Sequence, residues 1–81
     1  MDDAEVLQRI HRLVEEEHQL REHAAGGHPL SDEDAGRLAD LEVGLDQCWD
    51  LLRQRRARRE FGQDPDEATS RDPSVVERYL Q

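Results

Sequence analysis

The chain has no lysine, a single cysteine, one each of Trp, Tyr and Phe, and only three prolines in 81 residues. Each scarcity excludes something. Cys48 alone cannot close an internal disulfide, and Met-Asp-Asp is not the basic, then apolar, opening of a secretory signal, so a cytoplasmic protein is expected. No apolar run approaches the roughly 20 residues that a bilayer span needs, so no membrane role is expected. There is no glycine-rich phosphate loop and no hydrolase serine motif. The sequence therefore reads as non-enzymatic, with no cofactor and no small-molecule substrate indicated. A chain this short forms one small domain whose core is marginal without partners.

Charge is what the chain has in quantity. Charged residues make up 38% of it and the net charge is −9. All the basic side chains are arginine, a bias read as compositional rather than chemical. They are unevenly placed: residues 1–25 and 26–52 are acidic, the acidic excess returns at 62–81, and between them stands Arg53-Gln54-Arg55-Arg56-Ala57-Arg58-Arg59. An acidic whole repels nucleic acid at long range, so any such contact would be local to this node.

Apolar residues are few but periodic. Alternating steps of three and four place Leu38, Leu41, Leu45, Cys48, Leu52, Arg55 and Arg59 on one side of a helix, the spacing of a packed helix seam. Val6, Ile10, Leu13, Leu20 and Ala24 do the same upstream, with Glu17 as an acid on the stripe that must reach the edge or pair with an arginine. Gly26-Gly27-His28-Pro29 breaks the first helix, Ser31 is a good N-cap for the second, and Gly62 is its natural stop. The expected fold is all-α: residues 1–61 form an antiparallel, coiled-coil-like two-helix hairpin (helix 2–25, loop 26–30, helix 31–61). Matching the seams outward from the loop sets Leu20 near Leu38, Leu13 near Leu45 and Val6 near Leu52. The second helix then overhangs the first, with Asp2, Asp3 and Glu5 as counter-charges for its arginines.

Residues 62–81 form an acidic tail in which Asp64-Pro65 and Asp72-Pro73 each place a capping residue before a first-turn proline. The second step opens a short helix over 73–80, with Ser74 and Glu77 as a competing capping box. Val75, Val76, Tyr79 and Leu80 give this helix an apolar side, and so short a helix persists only when docked. The flank near Trp49 and Leu7 is the expected surface. Leu7, Val14 and Trp49 also widen the apolar face beyond what one partner helix covers. A homodimer, two hairpins making a four-helix bundle through Leu38, Leu41, Leu45, Trp49 and Leu52 with Leu7 and Val14 alongside, is therefore the expected assembly.

Three constellations invite chemistry. His11, Glu15, His18 and Glu22 share a stripe with a Glu-x-x-His step, but it lies roughly 150° around the helix from the seam and bundle metal sites point inward, so a metal-binding role is the weakest alternative. Cys48 falls on the seam, where a thiol packs as a small hydrophobe. Arg53, Arg55, Arg56, Arg58 and Arg59 make a basic patch that would suit a nucleic acid. They spread around the helix without interleaved aromatics, so helix-end stabilisation, including Asp50–Arg53 and Arg56–Glu60 pairs, is favoured over that alternative.

The run Leu45-Asp46-Gln47-Cys48-Trp49-Asp50-Leu51-Leu52-Arg53-Gln54-Arg55-Arg56-Ala57, followed by Gly62-Gln63-Asp64-Pro65 and Val75-Val76-Glu77, resembles a family of small stand-alone actinobacterial proteins classed as a domain of unknown function. The resemblance covers nearly the whole chain and implies size and compartment, but no site residues. The expected function is that of an interaction or adaptor module holding a protein partner.

Overall fold

In a computed structural model, residues 2–27 and 29–80 are described, residues 77–80 by their backbone alone. The order is α1 (Asp3–Ala25), α2 (Asp32–Glu60), a 3-10 turn (Pro65–Glu67) and α3 (Pro73–Leu80), with no strand among the described residues. Each boundary follows from a local rule. The Asp2 side chain accepts from the Glu5 N–H at 2.8 Å and that of Ser31 from Asp34 at 3.0 Å, satisfying donors that the helix itself leaves unpaired. At the far end of α2, Gly62 takes the left-handed conformation (φ 71°). Its N–H donates to Arg59 O, and that of Gln63 to Arg58 O, so the last carbonyls of α2 are satisfied and the chain turns back. The expected helix limits thus hold to within a capping residue.

α1 and α2 pack as an antiparallel hairpin in the register that the seams require. Asp3 meets Arg55, and a β-carbon placed on Gly44 would lie 3.4 Å from Leu13 Cδ1. The core gathers toward the open end, where Val6 and Ile10 meet Cys48 and Leu51, with Leu13, Leu45, Leu52 and Ala68 packed around them. Nearer the loop, Leu20 and Leu38 are only half-buried. The molecule is long and flat, 51 × 25 × 16 Å, so each long helix keeps surface that no other element covers.

The returning segment departs from expectation. It docks, and Val76 is 1% exposed, but the surface is not the flank near Trp49 and Leu7. The 3-10 turn and α3 both pack against α2. Gln47 Nε2 donates to Arg71 O at 3.2 Å and Gln54 Nε2 to Thr69 O at 2.9 Å. On α2 these two glutamines lie on the side away from Trp49, since steps of two and five residues at about 100° each carry them well past a right angle from it. The Asp50–Arg53 pair is also replaced: Asp50 is buried, accepts from Gln54 Nε2 at 2.9 Å and lies 3.5 Å from Arg71 Nε. Asp72, not Ser74, caps α3, accepting from the Ser74 N–H and hydroxyl, and these hydrogen bonds hold its carboxyl below the usual range. The side chains of Glu77, Tyr79 and Leu80 lie outside the described residues.

Candidate functional site

At the arginine end, the side chains that the sequence offers as a basic patch are drawn into intramolecular pairs. Arg55 is 4% exposed. Its Nε donates to Asp3 Oδ1 at 2.5 Å, and its Nη1 donates to Pro65 O at 3.1 Å and to Asp66 Oδ1 at 2.9 Å. One guanidinium therefore ties the start of α1, the end of α2 and the returning segment together. Arg59 Nη2 reaches Asp3 Oδ2 at 2.8 Å, Arg58 reaches Glu67 at 3.5 Å and Arg56 reaches Glu60 at 3.2 Å. Hydrogen bonds from Arg59, then Arg55, lower the Asp3 carboxyl to about 2 from its ordinary 3.8, and Asp3 and Asp66 in turn raise the pKa of Arg55. Arg53 alone of the five is exposed without an ion-pair partner among the described residues. As a charged surface for phosphates the node is largely spent within the chain.

The histidine stripe lies in solvent as its wheel position requires. His11 Nε2 is 3.8 Å from Glu15 and His18 Nε2 is 3.0 Å from Glu22, all four well exposed. No group of three or more potential metal ligands converges among the described residues. Cys48 is buried in the core, which pushes its thiol pKa up and disfavours a thiolate nucleophile. Glu17 pairs with Arg21 at 3.6 Å.

One side of the hairpin remains apolar and uncovered. Leu7, Val14 and Trp49 are 50%, 45% and 47% exposed. Their alignment follows from a cross-helix pair. Leu7, Val14 and Arg21 recur by heptads along α1, and Glu42, Trp49 and Arg56 by heptads along α2. Arg21 Nη2 bonds Glu42 Oε1 at 3.1 Å across the groove, so both stripes border the same side. Arg37 and Glu16, paired at 2.6 Å, mark the other side. With Asp3 opposite Arg55, Trp49 lies level with the stretch between Leu7 and Val14, which makes the three one patch. Of the remaining expected interface residues, Leu41 is buried within the chain and Leu38, Leu45 and Leu52 are half-buried. Within one chain the seam leucines therefore serve the hairpin, while Leu7, Val14 and Trp49 are the most exposed of the expected interface residues.

Sequence reasoning missed the Gln47, Asp50 and Gln54 stripe that receives the returning segment. Its signal was there, since Gln47 and Gln54 are a heptad apart with Leu51 between them, but a stripe this polar has no hydrophobic period to announce it.

Comparison with known proteins matches residues 2–81 to a family described as Protein of unknown function (DUF2630). An uncharacterised protein of Mycobacterium tuberculosis (strain H37Rv) and another of Mycobacterium bovis are each 48% identical over 77 residues, covering 95% of this chain and 88% of the relative. No solved structure matches. No helix among the described residues is long and apolar enough to cross a membrane. The chain belongs to the DUF2630 family.

Proposed function

We propose that this member of the DUF2630 family is a non-enzymatic interaction module of the cytoplasm that works as a homodimer and presents its acidic surfaces to a protein partner. The observation that carries the reading is the patch of Leu7, Val14 and Trp49, still about half exposed after the chain has folded its own tail onto α2. A polypeptide that covers one side of its hairpin and leaves a tryptophan between two aliphatic side chains on the other has an apolar surface of the kind that marks interaction sites. Two copies joined through it would bury the flanks of both seams in a four-helix arrangement.

The nucleic-acid alternative draws on Arg53, Arg55, Arg56, Arg58 and Arg59. It is disfavoured because Arg55 is buried between Asp3 and Asp66, and Arg58 and Arg59 are held by Glu67 and Asp3, which leaves only Arg53 and the loosely paired Arg56 to meet phosphates.

Sedimentation at tens of micromolar tests the reading against Trp49→Glu, with far-UV circular dichroism as the folding control. A dimeric wild type and a folded, monomeric variant are expected. A wild type that sediments as a monomer throughout, with a cooperative melt, would overturn it.

A further inference from the structure

The uncovered side carries more than apolar residues. Along α2, steps of four and three place Glu42, Asp46, Trp49, Arg53 and Arg56 on one stripe, a second seam turned away from the one that packs on α1. Its charges change sign at the tryptophan. Toward the loop both charged positions are acidic, and toward the arginine end both are basic. Asp46 and Arg53 have no ion pair within the chain among the described residues, while Glu42 and Arg56 are engaged only in exposed pairs with Arg21 and Glu60.

A stripe that is acidic on one side of a central aromatic and basic on the other is complementary to itself after a two-fold rotation. We propose that the occupant of this face is a second copy of the chain, packed α2 against antiparallel α2 with the two-fold axis passing beside Trp49. The inference rests on the dimer reading above and gives it a geometry. In this arrangement Asp46 of each copy faces Arg53 of the other, and Glu42 faces Arg56, because each pair stands at nearly equal distances on either side of the axis. The two indoles meet near the axis, over Leu7 and Val14 of both copies. A parallel arrangement would set Asp46 against Asp46 and Arg53 against Arg53, and like charges so placed oppose association. The tail does not compete for this stripe, since it hydrogen-bonds to α2 through Gln47 and Gln54 on the side away from Trp49.

Charge exchange between copies is the test. D46R and R53E are each expected to weaken the dimer on the order of tenfold at low salt, since each turns two attractive contacts into repulsive ones. An equimolar mixture of the two folded variants is expected to regain a dimer near wild-type affinity. In the mixed dimer the arginine introduced by D46R in one chain meets the glutamate introduced by R53E in the other, while the native pair survives at the second contact. Rescue in the mixture cannot arise from a pair within one chain. A spin label at Glu60→Cys, with Cys48 buried, gives an independent reading. Eleven residues either side of the axis at 1.5 Å per residue put the labels roughly 33 Å apart along the helices, against about 10 Å for a parallel pair. A wild-type dimer without rescue, or with the short label distance, overturns this geometry and leaves the dimer standing. A wild type that never dimerises overturns both.

Discussion

Val76, 1% exposed, is the deepest described anchor of the segment that folds back on α2. Val76→Ala removes two buried carbons, worth roughly 1.6 kcal/mol at about 0.8 each, and the space left unfilled brings the expected cost to about 2 kcal/mol. In a domain of this size each kcal/mol moves the melting midpoint by roughly 4–8 °C, so a fall of about 8–16 °C follows. That fall has a ceiling. Once α3 lifts away, Val6, Ile10 and Cys48 still hold the hairpin, so the global melt cannot lose more than the free energy with which the tail docks. Calorimetry should therefore be joined to native-state hydrogen exchange. The amides of the returning segment, from Asp66 through Val76, should lose protection before those at the centres of α1 and α2. Val75→Ala, at a half-buried position, should cost less. A Val76→Ala midpoint within about 2 °C of wild type, with exchange across that segment unchanged, would refute the docked tail.

Two further outcomes follow from the arginine end and the glycines. The Asp3 carboxyl titrates at about 2 in the fold and near 3.8 when free. Its stabilising effect is complete above the higher value and disappears as pH falls through the lower, so the melting advantage of wild type over Asp3→Asn should be full at neutral pH and vanish below about 2. An NMR titration midpoint for Asp3 near its ordinary value would contradict the paired geometry. Gly36 sits in an exposed stretch of α2 with open space where a β-carbon would go, so Gly36→Ala should stabilise by up to about 1 kcal/mol, whereas Gly62→Ala, at φ 71°, should destabilise by about 1 kcal/mol or more. Thermal melts moving in the same direction for both would contradict either the open helical site at Gly36 or the left-handed turn at Gly62.

The sequence by itself determined the helices, their ends, the hairpin and its register. Asp2, Ser31 and Gly62 act on neighbours a turn away, and the Val6 to Leu20 and Leu38 to Leu52 stripes can be matched in one way once the loop is short. Asp3 as counter-charge to the arginines follows from that register, and Arg56–Glu60 is a pair within one helix face. Tertiary structure alone decided which side of α2 receives the tail. Asp50 reads as a partner for Arg53, and Gln47 and Gln54 belong to no hydrophobic period, until the backbone carbonyls of Thr69 and Arg71, and the Arg71 guanidinium, come to meet them. Those partners are supplied by a segment with no periodicity of its own, beyond a turn whose direction a single glycine permits but does not dictate. The same placement leaves Leu7, Val14 and Trp49 bare. A helical stripe records which residues share a face, but whether that face is covered depends on where distant chain returns, and hydrophobic period carries no information about that.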